Sequence, residues 1–581
     1  MSDDNVQFYP LRRHFVFGLL LLVAIALIWR LVDLQVLRKD FLQGQGDARA
    51  LRVVSMSAHR GMVLDRHGEP LAISTPVDSI WMNPRDVQFE GKQRLHLAKL
   101  LGMDSDSLQS LLATRKGREF VYLKRRVHPD LARDVMALKI PGIALQREYR
   151  RYYPTGEVSG HVVGFTNVDD VGQEGIELSY DDWLRGHDGS KRVLKDRLGH
   201  VIADVESIRQ PEPGRDLLLS IDRRLQYLAY SELKAAVQKH KARSGSLVLL
   251  DAKTGEVLAM VNQPAFNPNN RKHLQGERYR NRAVTDVFEP GSTMKPFTVS
   301  AALEQGLYQP DTIIDTTPGF YQVGGNTVRD IHNYGSIDVA TVITKSSNVG
   351  ASKIALSLPP EQLWQLYSRV GFGEVTSSGF PGETGGMLSD YRKWREIDRA
   401  TLAFGYGLSV TPLQLAQAYT VFANDGALQP VTLQRVDDAD AIAPAVEVMR
   451  RSTANDVLHM LESVVAAGGT GTRAQVRGYR IAGKTGTVRK SGIGGYVDDK
   501  YVAVFAGLAP VSQPQLVCVV MINEPGGDEY YGGQVAGPVF ANVMAGALRL
   551  LNIAPDALPQ NARFAQAGTA DSSPAETGGR L

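Results

Sequence analysis

The most restrictive feature of this sequence is an uninterrupted apolar run, Phe15–Trp29, that closely follows the basic pair Arg12 and Arg13. In a bilayer an α-helix satisfies its backbone polar groups internally, and a spanning helix needs about 20 residues. Arg30 can extend its charged end to the membrane interface, which lengthens the usable span. Residues 15–35 are therefore predicted to form one transmembrane helix.

The basic pair also predicts the orientation of this helix, because positive residues favour the cytoplasmic side. Residues 1–14 are then a cytoplasmic segment, and the rest of the chain lies beyond the membrane. A cleaved signal peptide is the alternative, since Ala24–Ala26 resembles a small-residue cleavage site. That motif is followed by Leu27–Trp29 within the apolar run, so an uncleaved anchor is favoured.

The length of 581 residues exceeds what one hydrophobic core usually serves, so at least two folded domains are expected. The turn-forming cluster Gln210–Gly214 marks the boundary between them. We assign residues 50–220 to an N-terminal module and residues 221–552 to a second domain. Residues 553–581 contain much Ala, Ser, Gly and Pro and few large apolar side chains, and are predicted to be a disordered tail.

Charge and cysteine content exclude several classes of function. A formal net charge of only +3 gives no support for nucleic-acid binding. Cys518 is the only cysteine, which rules out an internal disulfide and a multi-cysteine metal site. It lies in the apolar run Leu516–Ile522, so core packing is its expected role.

The second domain is predicted to be α+β. Two apolar strands, Ser246–Leu250 and Glu256–Val261, flank Asp251–Gly255 as a β-hairpin. The order of elements along this domain is strands, then helices, then strands. This order indicates an antiparallel sheet that is formed by strands from both ends of the domain, with a block of helices between them in the sequence. The predicted helices cover residues 293–305, 340–357, 411–423 and 454–466, and the later strands cover residues 480–482, 502–506 and 516–522.

Ser292 and Lys295 lie three residues apart at the predicted start of a helix and share one face of it. A serine in this position can be a simple N-cap. It can also be a nucleophile, provided that a base one turn away takes its proton. Lysine can act as that base only if its pKa of about 10.4 is lowered toward neutrality, and a second cation nearby would help.

Two further motifs follow in the sequence. Ser346–Asn348 is the only Ser-x-Asn triplet of the chain, and a polar helix or loop surface is its alternative interpretation. Lys-Thr-Gly occurs twice, at Lys253–Gly255 and at Lys484–Gly486. The earlier copy has a strand on each side and is predicted to be a hairpin tip. The later copy continues a strand from Ile481 and is the functional candidate.

On a strand, Lys484 and Gly486 point to the same side, so a cation faces the site while glycine allows close approach of another backbone. A peptide could then add as a further strand. Thr485 and Thr487 offer hydroxyls for a carboxylate. The N–H groups of Thr487 and Ser292 are expected to form an oxyanion hole.

A nucleotide hydrolase is the competing class, because Gly478–Thr485 matches the P-loop pattern GxxxxGK[ST] in full. A P-loop must lead into a helix, whereas Gly486, Gly492, Gly494 and Gly495 follow closely. Nucleotide would also be lacking on the outer side of the membrane. Esterase and zinc-protease classes have no support, since GxSxG and HExxH are absent from the sequence.

The three motifs, in this order, resemble those of the penicillin-binding proteins and serine β-lactamases. Further segments resemble the N-terminal module of the class B penicillin-binding proteins, so the resemblance covers nearly the whole chain. The Glu289–Ser292 segment and the single anchor are most similar to the septal type, and the elongation type is the nearest alternative. The N-terminal segments are Arg60-Gly61, Asp65-Arg66, Arg151, Tyr153–Gly156 and Gly172–Glu177.

The resemblance implies a penicillin-binding, serine β-lactamase-like fold and a peptidoglycan D,D-transpeptidase without cofactor or metal. A serine acyl-enzyme forms as D-alanine leaves, an amine of a neighbouring stem peptide resolves it, and β-lactams act as covalent inhibitors. The implied catalytic residues are Ser292, Lys295, Ser346, Asn348 and Lys484. The implied substrate-binding residues are Thr485, Gly486, Thr487, Arg489, Tyr406, Tyr496, Tyr530 and Tyr531.

The resemblance also implies surroundings and partners. The chain is expected in the cell inner membrane with a periplasmic catalytic domain, beside an FtsW-type polymerase and other divisome proteins. A hydrolytic D,D-carboxypeptidase or β-lactamase stays an alternative, although no carboxylate is identified that would activate water. A catalytically silent scaffold or penicillin sensor is a third class, which the three intact motifs disfavour.

Overall fold

The computed structural model describes residues 10–42, 51–195, 201–272, 276–492 and 495–557. Most of the predicted disordered tail and of the predicted cytoplasmic segment lies outside these ranges. The chain divides into two compact units, which are described separately below. The first comprises Met1–His59, Thr75–Arg150 and Gly186–Gly214, and the second comprises Arg60–Ser74, Arg151–Arg185 and Arg215–Leu581.

The predicted anchor is a helix, Pro10–Val32, which continues into a π-helical turn, Asp33–Leu37. It starts five residues earlier than the predicted span of 15–35. Its apolar side chains are exposed, and Leu11–Leu37 is the only described helix that is long and apolar enough to cross a membrane. The chain therefore carries a single-pass membrane anchor.

The rest of the first unit contains a small mixed core and an antiparallel three-stranded sheet. The core packs Ile80, Leu97, Leu108 and Val135, which are all fully buried or nearly so. The sheet consists of Leu51–Met56, Gly189–Lys195 and Val201–Arg209. The remaining elements are the strands Pro70–Met82 from Thr75 onward, Val121–Val127 and Ile143–Tyr152 up to Arg150, and the helices Gln93–Leu101, Ser105–Thr114 and Pro129–Ala137.

The second unit is built on an antiparallel five-stranded sheet. Its strands are β1 (Ser244–Asp251), β2 (Val257–Gln263), β3 (Ala482–Gly492), β4 (Gly495–Ala509) and β5 (Leu516–Asn523). The order is β2-β1-β5-β4-β3, so strands from both ends of the unit meet at the β1–β5 pair. The predicted fold class, an antiparallel sheet with a helical block, is confirmed.

Helices cover both faces of this sheet, which explains why β1 and β5 are apolar without alternation. Leu249 and Cys518 face the helices Arg223–Lys239 and Gly537–Leu550, neither of which the sequence analysis predicted. Val248 faces the helical block instead. Cys518 is fully buried, so its predicted packing role is confirmed.

The predicted continuous helix over residues 340–357 is wrong, because the structure divides it into Val339–Lys345 and Asn348–Ser357. Ser346 ends the first helix in the left-handed conformation with φ +62°. Ser347 caps the second helix by accepting a hydrogen bond from the N–H of Gly350 at 2.9 Å. The Ser-x-Asn motif is therefore a helix–helix junction, where side chains can leave the helical direction.

Most of the other helices and strands of the second unit are short, and Arg451–Val465 is the longest of these helices with 15 residues. Its helices are Gly160–Val163, Gly175–Ser179, Asp181–Arg185, Arg282–Thr285, Lys295–Glu304, Pro360–Arg369, Glu396–Leu402, Pro412–Tyr419, Arg451–Val465 and Gly532–Val535. Its small strands are Val63–Leu64, Phe165–Thr166, Gly172–Glu174, Leu217–Leu218, Ile313–Asp315, Phe320–Val323, Asn326–Arg329, Ser336–Asp338, Ala427–Leu428 and Val446–Glu447.

A buried ion cluster joins distant segments of the second unit. The Glu177 carboxylate accepts hydrogen bonds from Arg60 Nε at 2.8 Å and from Arg151 Nε at 2.6 Å. Arg60 also donates to Asp181 at 2.7 Å. All but Asp181 are almost completely buried, so each charge depends on its partners for compensation.

Replacing Glu177 with Ala leaves two buried guanidinium groups without their shared anion. We expect the free energy of unfolding to fall by about 3–5 kcal/mol. Urea unfolding of the full chain in detergent measures this loss. Glu447→Ala, at an exposed position, is the control and should change the free energy by less than about 0.5 kcal/mol. Similar values for both variants would contradict a structural role of the cluster.

Candidate active site

Ser292 lies in a 3₁₀ turn, Gly291–Met294, that leads directly into the helix Lys295–Glu304. The N-cap of this turn is Pro290 and that of the helix is Met294, so Ser292 does not occupy an N-cap position. Gly291 has φ +57°. The backbone of Gly405 packs against Gly291 so closely that a Cβ on Gly405 would lie 2.1 Å from the carbonyl oxygen of Gly291. The turn is therefore fixed, while Ser292 stays partly exposed.

Lys295 is the centre of a hydrogen-bonded cluster. Its Nζ lies 3.0 Å from Ser292 Oγ, 3.1 Å from Ser346 Oγ and 2.8 Å from Asn348 Oδ1. It also donates to the carbonyl of Ser346 at 2.5 Å. The side chain of Lys295 has no solvent exposure. The first two motifs thus meet at one amine, although about fifty residues separate them in sequence.

Lys484 approaches the same cluster from the edge strand β3. Its Nζ donates to Ser346 Oγ at 2.9 Å, and the side chain is also completely buried. Gly486 lies against the start of the Ser292 turn, since a Cβ there would be 2.9 Å from the carbonyl oxygen of Pro290. A side chain at this position would separate the strand from the turn.

Burial determines the charge of both lysines. It lowers the pKa of Lys484 to about 7. Burial, together with the positive charge of Lys484, lowers the pKa of Lys295 well below its ordinary value, while Asp330 opposes that shift. A neutral Lys295 has a free lone pair, so it can accept a proton from the Ser292 hydroxyl 3.0 Å away.

Asp330 is a functional candidate that the sequence analysis missed. Its carboxylate accepts hydrogen bonds from the hydroxyl of Ser347 at 2.6 Å and from the N–H groups of Asn348 and Val349 at 2.5 and 3.0 Å. These bonds hold the start of the helix that carries Asn348, where a negative charge is favourable. No motif spacing indicates Asp330, because it comes from the end of a separate hairpin.

The predicted cleft tyrosines form two groups. Tyr406 and Tyr496 meet edge to face, with ring centroids 5.3 Å apart. Tyr530 stacks on Tyr531 at 4.5 Å and on Tyr501, which was not predicted, at 4.3 Å. Sequence reasoning had only their Gly-rich neighbourhoods as a signal.

The remaining predicted substrate-binding side chains take different positions. The Thr485 hydroxyl pairs with that of Thr470 at 2.8 Å, whereas Lys484 reaches Ser346. The Thr487 hydroxyl accepts the N–H of Gly532 at 2.9 Å and keeps its own proton to donate. Arg489 is exposed, with its guanidinium 3.7 Å from the carboxylate of Asp498.

The competing motif interpretations are settled by backbone structure. Gly486 and the residues after it continue β3 as a strand, so the P-loop interpretation is wrong. Lys253–Gly255 lies in the turn between β1 and β2, as predicted, and Lys253 Nζ donates to Asn424 Oδ1 at 3.2 Å. Within the described ranges, no three His, Cys, Asp or Glu side chains are grouped as metal ligands.

Comparison with known families identifies two matching regions. Residues 245–545 match the family described as penicillin binding protein transpeptidase domain. Residues 55–219 match the family described as penicillin-binding protein dimerisation domain. Together these regions span most of the chain, and the first contains the Ser-x-x-Lys, Ser-x-Asn and Lys-Thr-Gly motifs.

The chain is also similar to individual proteins. It is 46% identical to the peptidoglycan D,D-transpeptidase FtsI of Escherichia coli (strain K12), over 96% of this chain and 95% of that protein. Penicillin binding protein 3 of Mycobacterium tuberculosis, solved with aztreonam, is 29% identical with a TM-score of 0.67, covering 86% of this chain and 98% of that one. The transpeptidase domain of Burkholderia pseudomallei penicillin-binding protein 3 is 44% identical with a TM-score of 0.54, covering 59% and 98%.

Removal of the Asp330 charge should change the pH dependence of Ser292 acylation. Because this carboxylate raises the pKa of Lys295, Asp330→Asn should lower that pKa and move the acid limb of the rate profile to lower pH. Asp330→Ala, which also loses the hydrogen bonds, should lower the rate by at least about tenfold. The labelling rate of the full chain by a fluorescent penicillin measures both effects.

The control is Asp311→Asn, an exposed carboxylate outside this cluster, which should leave rate and profile unchanged. An Asp330→Ala variant that labels at the wild-type rate would remove Asp330 from the site.

Proposed function

This chain belongs to the class B penicillin-binding proteins, the peptidoglycan D,D-transpeptidases with an N-terminal dimerisation module, and from that we propose that Ser292 is its nucleophile. Its likeness to FtsI fits a role in septal cell-wall synthesis. The observation that carries the assignment of Ser292 is the 3.0 Å contact to a completely buried lysine with a lowered pKa. The substrate is then a peptidoglycan stem peptide that ends in two D-alanines.

In the acylation step, Ser292 Oγ attacks the carbonyl carbon between the two D-alanines. Its proton passes to the neutral amine of Lys295 as the C–O bond forms. The C–N bond then breaks, and the leaving amine of D-alanine takes a proton through the hydroxyl of Ser346. That hydroxyl lies 3.1 Å from Lys295 Nζ and 2.9 Å from Lys484 Nζ, which suits a proton relay between the two amines.

The negative oxygen that develops during attack needs hydrogen-bond donors aimed at it. We assign these donors to the backbone N–H groups of Ser292 and Thr487. The close approach of Gly486 to the Pro290 carbonyl supports this, because it brings β3 beside the nucleophile turn. The donor peptide then extends along the edge of β3 as an added strand.

In the second step, the amine of a neighbouring stem peptide attacks the ester carbon of the acyl-enzyme. The amine loses a proton to the Lys295–Ser346 relay, and the C–O bond to Ser292 breaks as the new amide forms. The proton returns to Ser292 Oγ, which restores the starting state. A β-lactam acylates the same oxygen. Its cleaved amide nitrogen stays attached to the acyl group because the two belong to one ring, so the ester persists.

Ser292→Ala tests the assignment of the nucleophile directly. A fluorescent penicillin should label the wild type covalently and leave this variant unlabelled, because the acylated oxygen is missing. Labelling is read by gel fluorescence of the full chain in detergent. Ser368→Ala, on the helix Pro360–Arg369, is the control and should label like the wild type. Equal labelling of Ser292→Ala would remove Ser292 from the mechanism.

The electrostatic coupling of the two lysines gives a separate prediction. The positive charge of Lys484 lowers the pKa of Lys295, so Lys484→Met should raise that pKa. Since the neutral amine is the base, the acid limb of the labelling-rate profile should move to higher pH. Lys253→Met, in the other Lys-Thr-Gly copy, is the matched control. If the acid limb of the profile stayed at the same pH in Lys484→Met, the Lys484 charge would not control the pKa of Lys295.

We further propose that the anchor lies in the cell inner membrane with its N-terminus in the cytoplasm, and that an FtsW-type polymerase and other divisome proteins are partners. The basic pair Arg12 and Arg13 supports the orientation.

Alkaline phosphatase fused after the last residue should be active only if the catalytic unit is periplasmic. A fluorescent fusion should gather at midcell, whereas a lateral distribution would favour the elongation type.

A further inference from the structure

Glu289, three residues before Ser292, has a hydrogen-bonding pattern that the reaction described above does not use. Its Oε1 accepts the backbone N–H of Gly407 at 2.8 Å and the hydroxyl of Tyr496 at 3.2 Å. Each donor belongs to a different segment, one to the turn around Gly405 and one to the start of β4. One carboxylate oxygen therefore joins two segments to the chain that carries Ser292.

The other oxygen of the same carboxylate is unsatisfied. Glu289 Oε2 is buried, and within the described ranges no donor lies at hydrogen-bonding distance from it. Burial accordingly raises the pKa of Glu289 above its ordinary value. A buried acceptor without a donor is destabilising, so packing alone does not account for a carboxylate here. What the residue contributes must come from Oε1.

The Gly407 contact stabilises the position of the nucleophile turn. Gly405, two residues before Gly407, accepts the N–H of Gly291 through its carbonyl at 3.1 Å. The same glycine is within touching distance of the Gly291 backbone, as described above. Glu289 and Gly291, on either side of Pro290, are thus both hydrogen-bonded to the segment Gly405–Gly407. These two bonds limit the movement of the backbone at Ser292.

The Tyr496 contact orients an aromatic pair. Tyr496 is 49% exposed, and two contacts limit the movement of its ring, the edge-to-face contact with Tyr406 and the hydroxyl bond to Glu289. Tyr496 pairs with Ser491 across the β3–β4 hairpin, whose β3 strand carries Lys484. A fixed ring at this place narrows the orientations that a peptide along β3 can take.

We propose that Glu289 is a positioning residue for acylation, which holds the Ser292 turn through Gly407 and the Tyr406–Tyr496 pair through Tyr496. The inference rests on the proposed function of Ser292 as nucleophile. Glu289 does not act as a base for water, because Oε2 is shielded and Oε1 already has two donors.

Three variants of the full chain in detergent test the role, with fluorescent-penicillin labelling and thermal unfolding as readouts. Glu289→Ala should lower the second-order labelling rate by about tenfold, because both hydrogen bonds to the carboxylate are lost. Its unfolding midpoint should stay within about 2 °C of the wild type or rise, because the unsatisfied Oε2 is removed as well. Glu289→Gln, whose amide oxygen can accept both donors, should keep the rate within about threefold.

Tyr496→Phe removes the hydroxyl and keeps the ring, and should lower the rate by about threefold at unchanged midpoint. If Glu289 acts through this hydroxyl, the double variant Glu289→Ala/Tyr496→Phe should label at the rate of Glu289→Ala alone. The exposed Asp440→Ala is the control for loss of a carboxylate in general and should match the wild type.

Two results would overturn the proposal. One is a Glu289→Ala variant whose labelling rate equals that of the wild type. The other is a loss of rate that accompanies a large fall in the unfolding midpoint and that Glu289→Gln does not restore. These outcomes are distinct from failure of the proposed function, which would appear as labelling of Ser292→Ala.

Discussion

Two lysine side chains without solvent exposure share the hydroxyl of Ser346, and the rest of the site depends on that arrangement. Burial disfavours the protonated form of both amines, and the positive charge of Lys484 lowers the pKa of Lys295 further. The proposed role of Lys295 as a base depends on this lowered pKa. Lys295 begins the helix Lys295–Glu304 and Lys484 lies on the edge strand β3, so two separate elements position the two amines.

Close backbone contact makes this arrangement rigid. The backbone of Gly405 packs against Gly291, and that of Gly486 packs against Pro290, so two other segments approach the Ser292 turn closely. The Glu289 carboxylate adds hydrogen bonds to Gly407 and Tyr496, which hold these segments more firmly than van der Waals contact alone. Such interlocked backbones keep reacting groups within the narrow tolerance that catalysis by positioning requires.

Helices, strands and buried residues that depend on the local sequence were predictable. Backbone breaks and side-chain roles that depend on tertiary contacts were not. The anchor, the central sheet and the burial of Cys518 follow from apolar runs whose length and flanks are visible in the sequence. The break at Ser346 is invisible, because the letters on both sides favour helix and the left-handed residue is stabilised by contacts to Lys295 and Lys484. Asp330 was missed for the same reason, and Glu289 was named only within the segment that resembles the septal type, since the partners of both carboxylates lie on other elements.

The burial of Cys518 has a practical consequence for spectroscopy. The thiol lies on β5, the middle strand of the sheet, with no exposure, and burial raises its pKa, so the reactive thiolate is suppressed in the folded chain. No other cysteine exists in the sequence. A cysteine placed at a surface position would therefore be the single alkylatable group of the folded protein. Spin labels or fluorophores can report distances between elements without first removing a native thiol.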